Sequence, residues 1–148
     1  KNRASGRVLL AALAVLLLVG VAALLAARTH AQETAVAEWQ LRLAKVLPIF
    51  GHRNWICVVD SAYPAQSRAG IETIWTGGHQ LDVVRATLEE IGRAKHVRPI
   101  VYCDKELAFV PEADAPGIEA YRADLKKLLA AHDVHRLPHA QPLVQVRV

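Results

Sequence analysis

The most conspicuous pattern along the chain is an unbroken apolar run, Val8 to Ala27, in which every position is aliphatic or glycine. A second pattern follows it at once. Val36, Trp39, Leu43, Val46 and Leu47 recur at helical spacing with Glu38, Arg42 and Lys45 between them, which predicts an amphipathic helix over 33–47, ended by Pro48 and Gly51. The continuous run Trp55 to Val59 then reads as a strand buried on both faces and closed by Asp60. Ser61 to Gly70 reads as a loop, Ile71 to Thr76 as a shorter second strand, and Gly77-Gly78 as a break. Leu81, Val84, Leu88 and Ile91 mark a helix over 79–95, and Val97 to Cys103, closed by Asp104, repeats the buried-strand pattern. For the next helix Asp114 is the expected N-cap and Pro116 suits its first turn; Ile118, Tyr121, Leu125, Leu128 and Leu129 form its apolar face. Beyond Asp133 the pattern weakens to a His- and Pro-rich connection and a final apolar run, Leu143 to Val148. Helices alternating with strands predict an α/β fold, a layered sheet with helices packed against it, preceded by an N-terminal hydrophobic helix.

The apolar run carries a basic head and a small-residue exit, the order of an export signal. About 20 residues is also enough to span a bilayer as a helix. Residues 1–31 are therefore expected to be a signal peptide, cut after Ala31, or a transmembrane anchor; residues 32–148 form the α/β domain. Either way the body is expected in the periplasm or otherwise exported, with membrane contact only through residues 8–27 if the leader is kept. Charge changes the reading of partners. Lys1, Arg3, Arg7 and Arg28 account for the whole formal excess of +4, so the body is neutral overall. A binder of nucleic-acid backbones needs surplus cations, so no nucleic-acid partner is expected. An oxidising compartment permits a disulfide between Cys57 and Cys103, while two buried thiols acting as small hydrophobes are the other reading.

Two aspartates, Asp60 and Asp104, each close a predicted strand, and ligands of open α/β sheets bind at the carboxyl ends of strands. Either residue also suits a turn or cap. Around Asp60 the pattern is more specific: Gly51-His52-Arg53-Asn54-Trp55-Ile56, then Asp60-Ser61-Ala62-Tyr63-Pro64-Ala65-Gln66. A Gly-His pair, an Asp eight residues after the His at a strand end, and a Pro four residues past the Asp resemble the D-ribose pyranase and L-fucose mutarotase (RbsD/FucU) family. The resemblance is carried by Leu47 to Ile71; from there to His139 only the order of elements agrees. It implies a monosaccharide mutarotase or pyranase-like isomerase with His52 as the catalytic proton donor, Asp60 as a sugar ligand and a further sugar contact near His139. It also implies a homo-oligomer, a pentamer or decamer, and a pocket completed by an aromatic-x-Asn segment beyond Val148, so the domain is expected to be incomplete at its C-terminus.

The chemistry needs few residues. Opening a cyclic hemiacetal adds a proton at the ring oxygen and removes one from the anomeric hydroxyl, and closure reverses this, so no cofactor and no metal are expected. A histidine with a pKa near 6.5 works in either direction at neutral pH. The alternative is a non-catalytic sugar- or small-molecule-binding module, or a membrane-tethered interaction domain. The spacing of His132, His135 and His139 gives a weak metal motif, and Gly77-Gly78-His79 a weak anion motif; a connection and a plain turn are the simpler readings.

Overall fold

The computed structural model describes residues 2–51, 53–138 and 144–147, with side chains at 15–30, 38–51 and 53–138. The first helix, α1 (Asn2–Val46), runs without interruption past position 31 into a 3-10 turn at Leu47–Ile49. Its far end is the amphipathic helix predicted from spacing: Trp39, Leu43 and Leu47 are buried in the core. Val15 to Val19, Val21, Leu24 and Leu25 stand exposed. Among the described residues no helix is long and apolar enough to cross a membrane.

After β1 (Trp55–Val58) the chain enters α2 (Gln80–Arg93), β2 (Ile100–Asp104), α3 (Ile118–Leu128), β3 (Asp133–Leu137) and β4 (Val144–Arg147). The sheet order is β1-β4-β2-β3. The last strand inserts antiparallel between β1 and β2, while β2 and β3 are parallel. The first three strands therefore point the same way. Both crossovers, β1-α2-β2 and β2-α3-β3, step across the sheet in one direction, and a right-handed crossover then puts both helices on the same face. That face holds the core: Val58, Val101 and Cys103 meet Val84, Leu88 and Ile91 of α2 and Leu125 of α3.

Among the described residues no helix packs on the opposite face. This corrects the expectation that β1 is buried on both sides, because Trp55 and Cys57 alternate outward from Ile56 and Val58. A row of rings crosses this face, with exposed Trp55 5.3 Å centroid to centroid from half-buried Tyr102 and exposed His135 stacked on Tyr102 at 5.2 Å. The cysteines are free thiols on opposite faces: Cys57 is level with Gln145, Cys103 with Val144. A one-residue offset in register reverses the side a residue faces, so this register does not support the bridge.

Three further expectations are corrected. Residues 71–76 form no strand; Ile71 and Trp75 are exposed, and the segment has no ladder partner in the four-stranded sheet. The His-rich connection instead contains β3, whose pairing with β2 supplies order that its mixed polar sequence does not signal. The N-cap of α3 is Gly117 at φ +92°, a left-handed conformation that glycine adopts without cost. Glu112 performs the capping expected of Asp114, accepting backbone N–H bonds from Gly117 and, at 3.0 Å, from Glu119. Those bonds hold the Glu112 carboxyl below its ordinary pKa.

Candidate functional site at the carboxyl edge of the sheet

The topology collects strand ends. Val58 and Cys103 share Val144 as their register partner, so β1 and β2 finish at one level, and Asp104 is level with Leu137 at the end of β3. With β4 between them, β1 and β2 lie two strand spacings apart, about 10 Å. Asp60, two residues past β1, and Asp104, the last residue of β2, therefore belong to the same edge.

Their environments differ. Asp60 is exposed, and its Oδ1 accepts the N–H groups of Ala62 at 2.8 Å and Tyr63 at 3.1 Å. Tyr63 N–H is also 3.2 Å from the Asp60 carbonyl. This is an Asx turn, the local geometry that an aspartate with free neighbouring N–H groups forms readily. It aims one carboxylate oxygen into its own loop and fixes the direction of the other. Asp104 is 3% exposed, and its Oδ1 accepts the Glu106 N–H at 2.8 Å. Lys105 N–H donates to the Leu137 carbonyl at 2.7 Å, tying the same turn to the end of β3. At that burial Asp104 holds the turn after β2 and presents little surface to a ligand.

Arg136 lies exposed on β3 beside Cys103, on a strand that the sequence pattern does not predict. Its charge lowers the Cys103 pKa against a larger rise from desolvation, with the Asp104 carboxylate adding to the rise. An alternation of Val134 with polar neighbours is the only trace of this strand in the sequence. Arg122 of α3 closes the edge from behind, donating from Nη1 to the carbonyls of Leu107 at 3.2 Å and Val110 at 2.7 Å.

His52 and His139 lie outside the described residues. The neighbours of His52 are placed. Gly51 and Asn54 form a closed turn in which Gly51 N–H donates to Asn54 Oδ1 at 2.8 Å and Asn54 N–H to the Gly51 carbonyl at 2.9 Å. Just ahead of it, the Phe50 carbonyl is 3.2 Å from His96 Nε2 in the α2–β2 connection. This turn sits at the amino end of β1, whereas Asp60 lies past its carboxyl end, with about 10 Å of strand between them. The fold brings Asp60, Asp104 and Arg136 to one edge and puts the turn closed by Gly51 and Asn54 at the other.

Of the weaker candidates, Gly77 turns the chain at φ +66° ahead of α2, and the α2 N-cap, His79, makes no side-chain capping bond. His132 and His135 flank the start of β3, with His135 Nε2 3.2 Å from Asp133 Oδ2. Among the described residues no cluster of three or more His, Cys, Asp or Glu forms a metal site. Comparison with protein-family models, with curated proteins and with solved structures returned no match to this chain.

Proposed function

We propose that this α/β domain acts on monosaccharides as a mutarotase or pyranase-like isomerase of the RbsD/FucU type, in the cell envelope, with His52 as acid and base and Asp60 as a sugar ligand. The observation that carries the reading is Asp60: an exposed carboxylate, oriented by its own Asx turn, at the carboxyl edge where β1, β2 and β3 all end. It follows the Gly-His pair at the family's spacing.

A sugar bound by Asp60 receives its proton from His52, in the homo-oligomer that the resemblance implies. The step balances without a cofactor. His52 in its imidazolium form protonates the ring oxygen as the anomeric hydroxyl gives up its proton to water, the C1–O bond to the ring oxygen breaks, and rotation and reclosure return both protons. Positioned proton transfer of this kind contributes about 10²–10⁴ in rate.

The second reading is a sugar-binding module without catalysis. It is favoured by the exposed Asp60 carboxylate, which its own Asx turn orients without help from a second catalytic residue. Saturation-transfer NMR across ribose, fucose, glucose and galactose separates the two: accelerated exchange between anomers or ring forms, lost in His52→Ala, supports the isomerase. Binding without exchange supports the module, and neither signal refutes both.

A further inference from the structure

The sheet ends in β1 on one side and β3 on the other, and the two edge strands differ in chemistry. β3 carries exposed Asp133, His135 and Arg136. β1 reads Trp55-Ile56-Cys57-Val58, with no charge, no proline and an unbroken register against β4. Natural sheets guard their edges with charge, proline, a bulge or a covering element, because the outer N–H and C=O groups of an edge strand template a further strand. Among the described residues the backbone of β1 bonds only within its ladder to β4. Trp55 and Cys57 are exposed and inward-facing Ile56 is only half-buried, so no described element covers this edge.

We propose that two copies of this chain associate through β1, antiparallel about a two-fold axis, joining their sheets into one. Residues directly opposite across an antiparallel pair share a face, so a symmetric pairing opposes one residue to its own copy. Cys57 is that residue. Trp55 then lies opposite Val59 and Ile56 opposite Val58, which continues the apolar inner layer over the half-open side of Ile56. Centring on Ile56 instead would draw Asn54 into the ladder, and its N–H is committed to the Gly51 carbonyl at 2.9 Å. The charges at the two ends of the strand select a second copy over an unrelated strand. Exposed Arg53 precedes β1 and exposed Asp60 follows it, and among the described residues neither has an ion pair. Antiparallel pairing sets Arg53 of each copy beside Asp60 of the other, so the edge complements itself.

The test is thiol cross-linking of the full chain, in mild detergent that screens the exposed apolar residues of α1. In this register the two Cys57 residues have Cα atoms about 4.5–5.5 Å apart, within disulfide reach. Trp55 and its copy are offset by about 13 Å along the strand. Diamide should therefore link Cys57 to Cys57, mapped by mass spectrometry, about tenfold faster than it links Trp55→Cys in a Cys57→Ser background. Buried Cys103 stays out of the reaction. Arg53→Glu should slow the linkage about fivefold, and Arg53→Lys should restore it. Cys57→Lys sets two cations opposite each other on the outward face and should sediment as a monomer where the native chain is a dimer. Equal linkage at positions 55 and 57, no linkage, no response to Arg53→Glu, or a dimer that survives Cys57→Lys overturns the proposal. None of these readouts involves sugar, so their failure is distinct from failure of the isomerase reading.

Discussion

Val101 is fully enclosed at the centre of β2, level with Val134 on one side and Val146 on the other. Truncation to alanine removes two methyl groups. At about 0.8 kcal/mol per buried carbon the transfer loss is about 1.6 kcal/mol, and the cavity that close-packed neighbours cannot fill raises the total to about 2–3 kcal/mol. Cys57, two strands away, faces outward, and Cys57→Ala should cost less than about 0.5 kcal/mol. Urea unfolding followed by far-ultraviolet circular dichroism measures both. With a slope of about 1–3 kcal/mol per molar, Val101→Ala lowers the midpoint by about 1–2 M at unchanged slope while Cys57→Ala barely moves it. The contrast tests the one-sided sheet, because a strand buried on both faces makes both substitutions costly. Equal losses, or a loss below about 0.5 kcal/mol at Val101, would refute the two-layer arrangement.

Other outcomes follow from the same geometry. Asp60→Ala removes the acceptor of two turn N–H groups and should cost about 1 kcal/mol as well as sugar affinity; Asp60→Asn keeps the acceptor and loses affinity alone, read by unfolding and by titration with sugar. Glu112, with its pKa lowered chiefly by the Gly117 and Glu119 N–H groups, stabilises the start of α3 above the ordinary carboxyl pKa and loses that contribution as pH falls through its folded value. Glu112→Gln should flatten the acid limb of the stability profile, measured by thermal melts across pH 3–5. Tyr121 is pushed up to about 12, mainly by burial and further by Cys103, and its hydroxyl donates to Gln80 Oε1 at 2.8 Å. Its stabilising effect is whole below pH 10 and is lost as pH climbs towards 12, so Tyr121→Phe should remove part of the alkaline destabilisation; an unchanged profile contradicts the assignment. Thiol labelling should find Cys57 reacting in the folded chain and Cys103 only on unfolding.

Local periodicity carried most of the helical architecture. The stripes Trp39-Leu43-Leu47, Val84-Leu88-Ile91 and Tyr121-Leu125-Leu129 all face the core, because spacing along a helix decides its buried side without reference to the rest of the chain. The sheet was less legible. An apolar run such as Trp55 to Val58 reads the same whether one face or both are covered, and only the direction of the crossovers decides it. The insertion of Val144–Arg147 between β1 and β2 is a pairing across most of the domain, which no local pattern announces. Ile71 to Thr76 has the composition of a strand, yet strand composition needs a partner edge and this sheet gives it none. For the site, the sequence pattern put Asp60 and Asp104 each at the carboxyl end of a strand, but not that Asp104 accepts a bond within its own turn, nor that Arg136 ends β3 on the same edge.

The central claim is that this domain exchanges sugar forms with His52 as acid and base and Asp60 as the sugar ligand. Saturation-transfer NMR of ribose, fucose, glucose and galactose with the chain, beside His52→Ala and Asp60→Asn, tests it most directly. The account predicts accelerated exchange between anomers or ring forms, lost in both variants. Exchange no faster than in buffer, or acceleration that survives His52→Ala, would contradict it.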